Sequence, residues 1–204
     1  MHCDSDFEAL LDSFDISPFE EHHNTVYGIR SDMQLAYYNP AWIRFAQDNG
    51  ASPALWSDDY LGTSVVSVIG DALSPFYLDL FRSCLDARDA GLRPPQHEYE
   101  CSSADVFRQF LMTLYPLAGR RGLLVVNSLI AEMQHDPVLR PRHASDSATY
   151  VGAGGWTHQC AHCRRVENTQ IDGQWDWVPE WVDHPLPKTS HGLCGPCRSH
   201  YYPQ

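Results

Sequence analysis

The hydrophobic and polar positions change period several times along the chain. In the first 24 residues Phe7, Leu10, Leu11 and Phe14 recur at i, i+3, i+4 and i+7, the spacing of one helix face among polar neighbours. From Thr25 the period shortens. TVYGIR, the polar turn Ser31-Asp32-Met33-Gln34 and LAYYN predict a hairpin. Asn39-Pro40 follows, a capping side chain and then a residue tolerated at the first helical position. A helix is therefore expected from Pro40 through Trp42 and Phe45, with Gly50 as its stop. Ser74-Pro75 repeats the start signal. Phe76, Leu80, Phe81, Cys84 and Leu85 mark the buried face of a longer helix ending near Gly91, with Arg93-Pro94-Pro95 as the break. Three runs rich in β-branched and aromatic residues come next: QHEYEC, VFRQFLMTLYPL and GLLVVNSLI, separated by polar turns. The order is strand, strand, helices, strand, strand, strand. It predicts an α+β domain with an antiparallel five-stranded sheet and its helices on one face.

The pattern divides the chain into an acidic segment at residues 1–24, a sensor-sized domain at 25–131, a Pro-, Ser- and Gly-rich linker at 132–155 and a small module at 156–204. At 204 residues and 43% apolar, the chain is long enough for one ordinary core plus a smaller unit.

Charge narrows the function classes. Asp4, Asp6, Glu8, Asp12, Asp15, Glu20 and Glu21 precede any Lys or Arg and supply most of the formal net charge of −12. No basic cluster exceeds Arg120-Arg121 or Arg164-Arg165, so direct nucleic-acid binding is disfavoured. The acidic start does not resemble a secretory signal and no long apolar run is present, so a cytoplasmic location is expected. His22-His23 reads as surface.

Four of the seven cysteines form two pairs, Cys160-Ala-His-Cys163 and Cys194-Gly-Pro-Cys197, with thirty residues between them. Zinc takes four tetrahedral thiolate or imidazole ligands, and two C-x-x-C turns complete a closed site. A segment of about fifty residues has too small a core to fold alone, so metal binding would supply much of its folding free energy. His162 and His191 are possible substitute ligands or outer donors. Cys3, Cys84 and Cys101 are scattered. Haem attachment of the c type needs a His directly after the second cysteine, and Arg164 stands there. A thiol redox switch through the two pairs is the competing chemistry, but the Gly154-Gly155-Trp156 approach lacks the strand that a thioredoxin-like motif follows. No Gly-x-Ser-x-Gly, Walker, His-Glu-x-x-His or kinase signature occurs, so a non-enzymatic protein is expected.

Two resemblances rest on these residues. Tyr38-Asn39-Pro40-Ala41-Trp42, Leu61-Gly62-Thr63-Ser64, the helix from Ser74, Arg108-Gln109-Phe110 and Tyr115-Pro116-Leu117 occur in an order that resembles the PAS family, over about Thr25 to Ile130. That resemblance implies a pocket for haem, flavin or a small metabolite. Candidate lining residues are Trp42, Phe45, Cys84, Tyr99 and Tyr115, though each is also an ordinary core residue. The long helix has no axial histidine, and Cys84 stands in no flavin-adduct motif, so the ligand stays open. The resemblance also implies a homodimer, with Phe7, Leu10, Leu11 and Phe14 as the dimer helix. The tail, with Gln174-Trp175-Asp176-Trp177-Val178-Pro179, Trp181 and Ser190-His191-Gly192-Leu193-Cys194, resembles a cysteine-rich zinc-ribbon-like module of bacterial signalling proteins. Together they imply a sensor or adaptor with structural Zn2+ and a signalling protein as partner, such as a histidine kinase, cyclase or transcription factor. A zinc-ribbon DNA-contacting regulator is the alternative from another class.

Overall fold

The computed structural model describes residues 2–12, 15–57, 60–86 and 94–203. The elements are β1 (His2–Cys3), α1 (Ser5–Leu11), α2 (Ser17–Glu20), β2 (Thr25–Arg30), β3 (Leu35–Tyr38), α3 (Pro40–Asp48), α4 (Ser74–Asp86), β4 (Gln96–Glu100), β5 (Val106–Pro116) and β6 (Gly122–Gln134). They continue with α5 (Ser147–Tyr150), β7 (Thr157–Cys160), β8 (Val166–Glu167), β9 (Trp175–Asp176), α6 (Glu180–Asp183), β10 (Thr189–Gly192) and α7 (Gly195–Tyr201). The expected end of the long helix near Gly91 and the break at Arg93 fall outside the described residues. The chain separates into two compact units. One comprises 1–69, 77–98 and 111–129, the other 70–76, 99–110 and 130–204.

The first unit carries an antiparallel sheet whose full order is β1-β3-β2-β6-β5-β4. It has six strands rather than the expected five, a correction that comes from β1. This strand is only two residues long, pairing His2 with Tyr38 and Cys3 with Tyr37, and two residues show no alternation to read in a sequence. Strands β2 and β6 pair from Thr25–Asn127 to Arg30–Gly122. Asn39 caps α3 as its sequence predicts, and it does more. Buried completely, its Oδ1 accepts from the amides of Trp42 and Val26, while its Nδ2 donates to the carbonyls of Phe19 and Asn24. One side chain thus joins the start of α3 to β2, to α2 and to the segment after α2.

The expected face of α1 exists, but it points inward. Phe7, Leu10 and Leu11 are buried in one cluster with Val26, Ala36, Tyr37, Leu117 and Leu124. Phe14, the fourth residue of that face, lies outside the described residues. Phe7 sits against two glycines on neighbouring strands: a Cβ on Gly28 would come within 2.3 Å of its ring, and one on Gly122 within 2.7 Å.

The second unit holds a four-stranded sheet in the order β10-β7-β8-β9, with β10 parallel to β7. The stretch 132–155, expected as a linker, contains the end of β6 and helix α5, whose Tyr150 is buried with Val166, Val178 and Trp181. Within the same unit Arg140 forms a two-bond pair with Glu100 at 2.7 and 3.0 Å, and its guanidinium lies 4.6 Å from the Trp177 ring. Both partners are nearly enclosed, which is tolerable only because the charges meet each other in fork geometry. Short polar loops of this kind show no periodicity, so such anchors are invisible until distant residues are brought together.

Candidate metal centre

Backbone pairing explains how two cysteine pairs so distant in sequence converge. Strand β7 ends on Cys160. The chain then turns tightly: the Arg164 amide donates to the Cys160 carbonyl at 3.0 Å, and the Cys160 amide donates to the Arg165 carbonyl at 2.7 Å. Arg164 adopts a left-handed φ of 63° to close this turn. Strand β8 returns beside β7, with Gln159 opposite Val166. The second pair arrives through β10, whose parallel register sets Gly192 opposite Cys160, and the Ala161 amide donates to the Gly192 carbonyl at 2.8 Å. Two residues later Cys194 stands at the entrance of α7, and Cys197 lies in that helix's first turn.

The second pair therefore sits at the start of a helix. Gly195-Pro196 suits that start. Proline is favoured in the first helical turn, where its missing amide costs nothing, and the Arg198 amide closes the turn on the Cys194 carbonyl at 2.8 Å.

All four sulfurs lie within 4.8 Å of one another, and all four residues are buried. The Cys163 and Cys194 Sγ atoms are 3.7 Å apart. A tetrahedral ion with metal–sulfur bonds of about 2.3 Å needs edges of about 3.8 Å, so the donor set fits one such ion. All seven cysteines are free thiols in the structure. Hydrogen bonds from its three neighbours hold the Cys160 thiol well below the ordinary range, led by that of Cys163, whereas those same contacts push Cys197 up, led by that of Cys160. Four thiols this close compete for ionisation, and a divalent cation relieves the competition by accepting all four as thiolates. Trp175 and Leu193 pack on the cluster and shield it from water.

The histidines stand outside this set. His162 Nδ1 is 2.8 Å from the Tyr201 hydroxyl, and burial pushes its pKa down, favouring the neutral ring. His191 lies exposed on β10, opposite Gln159. Among the described residues the metal-binding group comprises the four cysteines alone, without Cys3, Cys84 or Cys101. Tyr201 reaches His162 because α7 carries it back across the module.

The five candidate pocket residues do not form one constellation. Trp42 packs edge-on to Tyr27 at 5.1 Å, and Cys84 is buried with its Sγ 3.8 Å from the Leu114 carbonyl. Phe45 is half-buried on α3. Tyr115 packs on the cluster around Phe7, which lies on the sheet face opposite Tyr27 and Trp42, because successive β2 side chains alternate and Val26 belongs to the Phe7 cluster. Tyr99 belongs to the second unit and stacks on Phe110 at 5.6 Å. No helix among the described residues is long and apolar enough to cross a membrane.

No protein-family model matches the chain, and no curated protein matches it. Similar solved structures include the PAS domain of an HTR-like protein from Haloarcula marismortui, 13% identical with a TM-score of 0.33, covering 62% of this chain and 97% of that one. A PAS domain from a two-component sensor histidine kinase is 11% identical with a TM-score of 0.33, covering 62% and 99%. The PAS domain of Bordetella pertussis BvgS is 13% identical with a TM-score of 0.32, covering 61% and 90%.

Proposed function

We propose that this chain is a non-enzymatic signal-sensing or adaptor protein whose C-terminal module is held together by one structural zinc ion. The observation that carries the metal assignment is the burial of four cysteine sulfurs within 4.8 Å of one another. A catalytic zinc keeps one position open for water or substrate, whereas four enclosed thiolates fill a tetrahedron and leave none. Cys160, Cys163, Cys194 and Cys197 would hold the ion, and the ion would supply the cross-link between β7 and α7 that a small apolar core cannot provide. Thiolate donors suit zinc, and the reading as zinc rests on that preference.

The sensor reading rests on the order of elements in the first unit, with β2 and β3 preceding the helices and β4, β5 and β6 following them, and on the motifs resembling PAS domains. In this reading a small ligand or a partner acts on the sheet domain, and the metal module presents a surface to a signalling protein.

Elemental analysis of untagged protein purified without chelator tests the metal assignment. The expected result is about one zinc per chain, lost in a Cys194→Ser variant. Protein that contains no zinc and converts both cysteine pairs reversibly to disulfides while keeping its fold would overturn it in favour of a thiol switch. Stoichiometric iron would overturn the zinc assignment in favour of an iron–thiolate centre.

A further inference from the structure

The four sulfurs are not the only link between the two halves of the metal centre. His162 lies inside the first cysteine pair, and Tyr201 follows Cys197 by four residues in α7, so that Cys197 and Tyr201 share one face of the helix. Tyr201 is buried, its hydroxyl meets His162 Nδ1 at 2.8 Å, and the two rings stand edge to face with centroids 5.1 Å apart. One hydrogen bond therefore joins the Cys160–Cys163 turn to the helix that bears Cys197. These are the same two segments that an ion bound by all four sulfurs would join.

The Tyr201 ring is fixed by more than its hydroxyl. Phe76 meets it edge-on at 4.9 Å, and the end of α7 is tied down beside it, where the Tyr202 hydroxyl donates to the Ala72 carbonyl at 2.8 Å. The same stretch reaches the first cysteine turn, since a Cβ on Gly70 would lie 3.6 Å from Ala161 Cβ. All of these residues belong to the second unit. A ring already held in place gives up little further freedom when its hydroxyl bonds.

We infer that Tyr201 and His162 are positioning residues for the metal centre: their hydrogen bond holds the two cysteine pairs at ligand spacing and so raises metal affinity, although neither side chain belongs to the ligand set. The role presupposes that Cys160, Cys163, Cys194 and Cys197 take one structural ion. In the metal-free chain the two pairs are separated by thirty residues, and bringing them together costs chain entropy. Apparent affinity scales with the fraction of molecules whose sulfurs already converge. A hydrogen bond between the turn and the helix enlarges that fraction before any metal arrives, and it persists once the ion is bound.

Competition for Zn2+ between the full, reduced chain and a chromophoric chelator tests the inference. Tyr201→Phe keeps the ring and its contact with Phe76 but removes the hydroxyl, and His162→Ala removes the other partner. Each is expected to weaken zinc binding about three- to tenfold, as the loss of one hydrogen bond would. The double variant is expected to bind about as well as the weaker single one, because the bond can be lost only once. His162→Asn, whose amide reaches the place of Nδ1, is expected to recover most of the loss. Co2+ in place of zinc is expected to give the same tetrathiolate absorption in parent and variants, since no ligand changes. Zinc affinities within about twofold of the parent in both single variants would overturn the positioning role. Losses that multiply in the double variant would overturn it as well, and an altered cobalt spectrum in His162→Ala would overturn it by making His162 a ligand. A parent chain that binds no zinc under reducing conditions would instead overturn the structural-ion assignment itself, and the positioning role with it.

Discussion

Asp176 shows how one residue in the second unit is made safe for burial. Burial raises a carboxyl pKa, but here Asn168 and Gln174 donate amide hydrogens at 3.0 and 2.9 Å, the Tyr150 hydroxyl donates at 3.1 Å, and His143 lies 3.8 Å away. These contacts outweigh desolvation and hold the carboxyl below the ordinary range. A depressed folded pKa stabilises the fold above the unfolded value of about 3.9, and that stability is lost as pH falls through the lower folded value. Asp176→Asn removes the charge and offers donors where acceptors are needed. The expected cost is about 1–3 kcal/mol at neutral pH, shrinking as pH falls below about 4. Thermal melts of both proteins between acid and neutral pH check this, and parallel curves would show that the carboxylate charge contributes nothing. Tyr150 is the reciprocal case: burial, then the bond to Asp176, pushes its phenol up to about 12.

Among the elements, α1 shows why an amphipathic face does not reveal what covers it. The apolar spacing of Phe7, Leu10 and Leu11 was legible in the sequence, and the same spacing suits a dimer helix or an internal one. The structure places these side chains in their own chain's core because Gly28 and Gly122, lacking side chains, leave room for the Phe7 ring on adjacent strands. Gly28→Ala would put a Cβ 2.3 Å from Phe7 Cε1 and 3.0 Å from Tyr37 Cβ, so the ring must move. The expected destabilisation is about 1–3 kcal/mol, with α1 becoming more open to protease. In Phe7→Ala the obstruction is gone, so the double variant should cost less than the two single changes added together. Chemical denaturation of all four proteins checks the coupling, and simple additivity would mean that Phe7 does not occupy the glycine socket.

At the scale of the whole molecule, the two units have cores of different origin. The sheet domain buries aliphatic and aromatic residues around Phe7 and Leu124, whereas the second unit adds to a small apolar cluster around Tyr150 and Trp181 a group of four cysteines under Trp175 and Leu193. Stripping the metal should therefore act unevenly. Hydrogen exchange after chelation is expected to show loss of protection across β7, β10 and α7, with Val26 and Leu124 still protected. Unchanged protection at Cys160 and Cys197 would mean that packing alone holds the module.

Taken by itself, the sequence determined the elements whose signals are local. The hairpin of β2 and β3, the Asn39-Pro40 start of α3, the three long strands and the two C-x-x-C pairs all declare themselves through periodicity, caps or ligand spacing. Tertiary structure decided whatever depends on which distant groups meet. It added β1, too short to show a period. It turned α1 inward onto two glycines, and separated Tyr115 from Trp42 by alternation across a strand. The parallel pairing of β10 with β7 brought Cys194 to Cys160, and the start of α7 supplied the last two sulfurs. Periodicity and capping act over a few residues, so they can be read along the chain. Register, burial and the convergence of a metal site are set by contacts between segments far apart in sequence, where the local pattern is the same for several outcomes.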